Sequence, residues 1–174
     1  MHVLIRPRGG DFVYDEDEVQ CMIFDITICH RLGVDGVVIG ALTAEGEIDI
    51  PTCQRLVDAA QGMQITFHRA FDQCKHPLKA LEQIIFLGCH RILTSGQAPS
   101  AMEGLSLLHT LVTLADKRIV IMPGAGVNEN NARDILERTG ADEIHGSLRS
   151  LINGKMETDP SKVKKLLENT LQNP

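Results

Sequence analysis

Six apolar runs of β character recur along this chain, spaced to leave room for one loop and one helix of about three turns between them. They sit near 2–6, 36–41, 64–68, 90–94, 118–122 and 142–146, and their starts are 34, 28, 26, 28 and 24 residues apart. Each run ends in residues that strand interiors rarely hold. The clusters are Arg6-Pro7-Arg8-Gly9-Gly10-Asp11, Gly40-Ala41-Leu42-Thr43, His68-Arg69-Ala70-Phe71-Asp72, Thr94-Ser95-Gly96, Pro123-Gly124-Ala125-Gly126 and His145-Gly146-Ser147-Leu148-Arg149-Ser150. Strands that alternate with helices form a parallel sheet with right-handed crossovers. The ends of such strands share one face, and ligands bind there.

The intervening segments carry helix signals. Asp15 with Glu18, and Ser100 with Glu103, have the spacing of capping boxes. Pro51 and Pro77 fall where a first helical turn begins, Asn128 can cap a helix running to Arg138, and Asp159-Pro160 opens a last helix over 160–171. Leu78, Leu81, Ile84, Ile85 and Leu87 fit one helical face. Gly33, Gly62, Gly88 and Gly140 stand where helices end and strands begin.

Two architectures suit this order, an open doubly wound sheet and a (β/α)8 barrel. Six units of about 28 residues fall two units short of a barrel of about 250 residues. The expectation is a single domain over 1–174, an incomplete TIM-type barrel of about six βα units that lacks the first two. Aromatic residues make up only 3% of the chain and tryptophan is absent, so the core is aliphatic, as parallel sheets require.

A net charge of −6 gives no general attraction to nucleic acid. No apolar stretch reaches the length of a membrane span. The five cysteines are scattered, odd in number and without a C-x-x-C pair, which favours reduced thiols in a cytoplasmic or nuclear setting.

The ordered set Ile5-Arg6-Pro7-Arg8-Gly9-Gly10-Asp11-Phe12, Gly40-Ala41-Leu42-Thr43, Thr66-Phe67-His68-Arg69-Ala70-Phe71-Asp72, Leu93-Thr94-Ser95-Gly96 and Met122-Pro123-Gly124-Ala125-Gly126 closely resembles the CutC family. The likeness runs from about residue 3 to residue 165 and looks nearer to animal members than to bacterial ones. It implies a TIM-type barrel, a cytoplasmic and partly nuclear location, self-association into a homo-oligomer, a role in copper homeostasis, and Cu(I) binding. The family also carries an N-terminal portion with two further strands, which holds the cysteines proposed as copper ligands in animal members. No position of this chain matches them.

The residues themselves offer two kinds of chemistry. Cu(I) prefers soft sulfur donors. Cys21 and Cys29 lie on one predicted helix about 12 Å apart along its axis and roughly 80° apart around it, so they cannot share an ion unaided. Cys74 and His76 follow the third run and can approach the ligand face. The metal ligands stay unknown. A small anion is the other expectation. Arg6 and Arg8 share strand parity, and Arg69 and Arg149 also come from strand ends; a guanidinium matches carboxylate and phosphate. Thr94, Ser95 and Ser147 add hydroxyls. Gly124 and Gly126 open a loop whose backbone can hold a phosphate. His68 and His145 are the acid–base candidates, with Asp72 to orient a neighbouring group. Arg8–Asp11 and Arg69–Asp72 can also pair locally and stiffen their loops.

Three readings follow: a CutC-like copper homeostasis protein with an anion pocket; a TIM-barrel lyase or isomerase acting on a phosphorylated or carboxylated metabolite; and an inactive truncated isoform.

Overall fold

The computed structural model describes residues 1–152 and 154–171. The chain forms two compact units. The first holds Met1–Leu93 with Lys117–Ile119, and the second holds Thr94–Asp116 and the chain from Val120 onward.

In the first unit, strands β1 (His2–Leu4), β2 (Gly36–Ile39), β3 (Gln64–Phe67) and β4 (Arg91–Thr94, in this unit up to Leu93) alternate with helices α1 (Glu16–Arg31), α2 (Ile50–Ala59) and α3 (Pro77–Phe86). The strands pair in sequence order and in parallel, with Leu4 opposite Val38, Ile39 opposite Phe67, and Phe67 opposite Ile92. This is the parallel α/β fold that the spacing of the apolar runs predicts.

Alternation along these strands separates two faces. Ile5, Val37, Ile39, Ile65, Phe67 and Ile92 are almost wholly buried. On the opposite face Leu4 is 59% exposed, and Val38 and Arg91 are partly exposed. Val19, Met22, Ile26 and Cys29 give α1 its buried stripe at helical spacing. α1 begins in a complete capping box, in which Glu18 N–H donates to Asp15 Oδ1 at 2.9 Å and Asp15 N–H donates to Glu18 Oε2 at 3.1 Å. An N-cap of this kind stabilises a helix by about 1 kcal/mol. Pro51 and Pro77 occupy the first turns of α2 and α3, as expected. On α3, Leu81 and Ile84 are buried, but Leu78, in the first turn, is 47% exposed.

The second unit holds α4 (Leu105–Ala115), β5 (Val120–Pro123), α5 (Ala132–Thr139), an antiparallel hairpin of β6 (Arg149–Ile152) and β7 (Lys155–Thr158), and α6 (Pro160–Leu171). α5 ends at Gly140, whose φ of 74° is the left-handed cap that glycine adopts without a Cβ penalty. α6 starts where Asp159-Pro160 predicts, with Asp159 Oδ1 accepting from Ser161 N–H.

Three expectations are corrected here. The run at 142–146 forms no strand; its His145 N–H donates to Pro123 O at 2.9 Å, and the nearest ladder is the 149–158 hairpin. The reason is local: the sequence Asn153-Gly154 between alternating residues is a hairpin signal, and Gly154 takes φ of 79°. Arg149 and Ser150 therefore lie in a strand rather than in a strand-end loop. The Ser100–Glu103 box closes a turn that precedes α4, which itself begins at Leu105. Asn128 likewise organises a turn before α5, accepting at Oδ1 from Asn130 N–H.

Candidate functional site

β1 and β3 flank β2, and the register sets what meets beyond their ends. Ile5 N–H donates to Val38 O, and His68 N–H donates to Ile39 O. Counting on from Leu4–Val38 and Ile39–Phe67 puts Arg6, Gly40 and His68 on one level across the three strands. Gly40 has no side chain to separate its neighbours. A Cβ there would stand 2.6 Å from His68 Cε1 and 2.7 Å from its Nδ1, so the imidazole lies directly on the glycine backbone.

His68 is 95% buried, with 5% of its surface exposed. Its Nδ1 accepts from Ala70 N–H at 3.1 Å and caps the short 3-10 helix Arg69–Gln73. That bond fixes the tautomer in which Nε2 carries the proton. Burial, reinforced by the positive charge of Arg6, pushes the imidazole down to about 4, so it is neutral at physiological pH. The Nε2–H is a buried donor without a hydrogen-bond partner. His68 is thus built as a donor to a ligand rather than as a base at Nε2.

Phe12 links the two sides of the site. Its ring centroid is 4.8 Å from that of His68, and the Arg6 guanidinium lies 4.5 Å over the same ring. Arg6 donates from Nη2 to Gly10 O at 2.6 Å, while its Nε is buried and unpartnered. Arg6 forms no ion pair among the described residues. Its charge reaches Tyr14 as well, favouring the phenolate, although burial dominates and raises the phenol above its usual range. Arg6 also favours the phenolate through side-chain hydrogen bonding, although the buried Tyr14 Oη has no partner at full hydrogen-bond geometry.

Arg8 behaves differently. It donates from Nε to Glu18 Oε1 at 2.5 Å, from Nη1 to Asp11 Oδ1 at 2.9 Å and from Nη2 to Val13 O at 2.6 Å. Its guanidinium also lies 5.4 Å over the Tyr14 ring. β1 ends at Leu4, so the shared parity expected of Arg6 and Arg8 does not apply, and Arg8 braces the loop instead. Arg69, exposed on the 3-10 helix, donates from Nε to Asp72 Oδ2 at 2.7 Å. Both local pairs expected from sequence are present.

In the second unit, Gly124 N–H donates to Thr94 O, Thr94 Oγ1 accepts from Gly96 N–H, and Ser95 Oγ donates to Ala98 O at 2.6 Å. These groups hold their loop together. Gly126 O accepts from the Nδ2 of both Asn128 and Asn131. His145, Ser147 and Arg149 are exposed, and the Arg149 carbonyl accepts from Lys162 Nζ.

Of the expected residues, then, Arg6 and His68 meet. Tyr14 and Phe12 join them without having been singled out, although the sequence holds one signal for Tyr14: it is the chain's only tyrosine and lies three residues past the Arg-rich cluster.

The thiols are mostly shut away from solvent. Cys29, Cys53, Cys74 and Cys89 are buried and Cys21 is exposed. Burial pushes Cys53 and Cys89 up to about 12 and Cys74 up to about 11, which holds them protonated. No three His, Cys, Asp or Glu side chains gather among the described residues in a way that could hold a metal.

Known proteins share this arrangement of chain. The CutC family model matches residues 1–150. A family protein CutC of Parabacteroides distasonis is 55% identical over 157 residues, 90% of this chain and 65% of its own length. One of Glaesserella parasuis is 56% identical over 147 residues, 84% of this chain and 60% of its own. The chain therefore spans less than two thirds of the length of these relatives. The crystal structure of CutC from Streptococcus agalactiae, a protein named for copper homeostasis, superposes with a TM-score of 0.81 at 38% identity, covering 83% of this chain and 71% of that one. The fold is accordingly the TIM-type α/β architecture, present here in part. With its family model matched over most of its length, this chain belongs to the CutC family.

Proposed function

We propose that this CutC-family chain binds a small anion beyond the ends of β1, β2 and β3, in a site centred on Arg6 and His68. One observation carries the reading: Arg6 Nε, His68 Nε2 and Tyr14 Oη are all buried, all able to donate, and all without a partner. A buried donor left unpaired costs about 1–3 kcal/mol, and three at one site, one of them on a guanidinium that meets no carboxylate among the described residues, are best explained by an acceptor-rich ligand. Phe12 supplies an apolar wall beside them. Copper handling enters through kinship alone; among the described residues no three His, Cys, Asp or Glu side chains gather to support it.

Thermal unfolding in acetate, pyruvate or inorganic phosphate, against chloride at equal ionic strength, tests the reading. At least one anion stabilises the wild-type chain, and the stabilisation disappears in Arg6→Gln. Equal stabilisation of both proteins, or of neither, contradicts it.

A further inference from the structure

The charges around Arg6 narrow the class of anion. Arg8 is met by Glu18 and Asp11, and Arg69 is met by Asp72. His68, buried on Gly40, is neutral. Arg6 is therefore the one cation at the site that meets no carboxylate among the described residues. Arg6 and Arg8 together offset Asp11 and Glu18, so the site favours the ligand of lowest charge that still pairs with Arg6. A phosphate dianion would add two negative charges close to Asp11 and to Glu18 in the first turn of α1, and would shed more hydration against the Phe12 ring.

The donors narrow it again. A charged donor, Arg6 Nε–H, stands with two neutral ones, His68 Nε2–H and Tyr14 Oη–H. A charged donor pairs best with a carboxylate oxygen, and neutral donors suffice for a carbonyl or hydroxyl oxygen. Resting on the anion-site reading above, we infer that the ligand is a small monocarboxylate bearing an oxygen on its α-carbon, a 2-oxo or 2-hydroxy acid, with Arg6 binding the carboxylate and His68 and Tyr14 binding the α-oxygen. Phe12 packs against the carbon skeleton. His68, as a neutral donor to that oxygen, polarises it without becoming charged.

Calorimetric titration of the full chain at neutral pH and fixed ionic strength with acetate, lactate, pyruvate and inorganic phosphate tests this. Pyruvate or lactate binds about tenfold tighter than acetate, because acetate leaves the neutral donors unpaired, and phosphate binds more weakly than either. Tyr14→Phe deletes one oxygen and abolishes most of the advantage over acetate. His68→Asn, which keeps an acceptor for Ala70 N–H but lacks the Nε2 donor, does the same; Tyr14→Phe decides the matter if that variant unfolds. Phosphate binding tighter than pyruvate, or acetate equalling pyruvate, overturns the α-oxygen acid while the anion site stands. Failure of all four to bind the wild-type chain overturns both.

Discussion

Gly40 and His68 form one structural unit: the imidazole edge occupies the space where any other residue at position 40 would carry its Cβ, 2.6 Å from Cε1. The glycine is needed for this approach and not for its backbone, since its φ lies outside the left-handed region.

Gly40→Ala should therefore destabilise the chain by about 1–3 kcal/mol, the usual penalty for overpacking, and should move the imidazole toward water. The urea midpoint falls, and the His68 pKa, followed by NMR, rises from about 4 toward its ordinary value. In a His68→Ala background the same glycine substitution costs less, because its obstacle is gone. Additive costs in the double-mutant cycle would show that the two residues are not coupled.

Stability should fall with pH in two separate windows. His68 has a folded pKa near 4, below the ordinary 6.5 of the unfolded chain. Between those values the unfolded state binds the proton more readily, so stability is complete above about 6.5 and declines as pH falls toward about 4. The loss is about 3 kcal/mol. Glu16, held to about 2 chiefly by Arg55, and Asp159, held to about 2 chiefly by Ser161, act lower. Their stabilisation is present above the ordinary carboxylate range and is lost from there down to about 2. Chemical denaturation across pH should show the upper window flattened in His68→Asn and the lower one intact.

Thiol chemistry should report burial directly. Cys21 is exposed, while Cys53 and Cys89 are buried and pushed up to about 12. An aromatic disulfide reagent at neutral pH should titrate one thiol quickly in the folded chain and all five in denaturant. A second fast thiol without unfolding would contradict the packing of α2 and α3.

The junction of hairpin and last helix should depend on Asp159. Its Oδ1 accepts from Ser161 N–H and Oγ, its Oδ2 accepts from Ser150 Oγ at 2.9 Å, and its own N–H donates to Leu148 O. Asp159→Ala should loosen the start of α6 and raise amide exchange at Ser161 and along β6 and β7. Unchanged exchange at β6 would sever the link between hairpin and helix.

The sequence carried much of this architecture because period and punctuation agree. Apolar runs, first-turn prolines at Pro51 and Pro77, and the glycine after α5 each mark an element by local chemistry. The i,i+3 spacing of Arg8–Asp11 and Arg69–Asp72 exposed their pairing for the same reason. The hairpin was hidden by a likeness: Gly140-Ala141-Asp142-Glu143-Ile144-His145 repeats the pattern that precedes β2 and β4, but no strand follows it at 142–146. The site was half legible. Arg6 and His68 stand at strand ends, but Tyr14 and Phe12 join them only through the register that sets Arg6, Gly40 and His68 side by side. Such a relation spans 62 residues of chain and leaves no local mark.

The protonation of His68 beside Arg6 is the centre of this account, and nitrogen-15 NMR of the imidazole reads it directly. At neutral pH the ring should be neutral, with the proton on Nε2 and none on Nδ1, and pyruvate should shift the Nε2 resonance in the wild-type chain but not in Arg6→Gln. A charged ring, a proton on Nδ1, or a shift indifferent to Arg6 would contradict it.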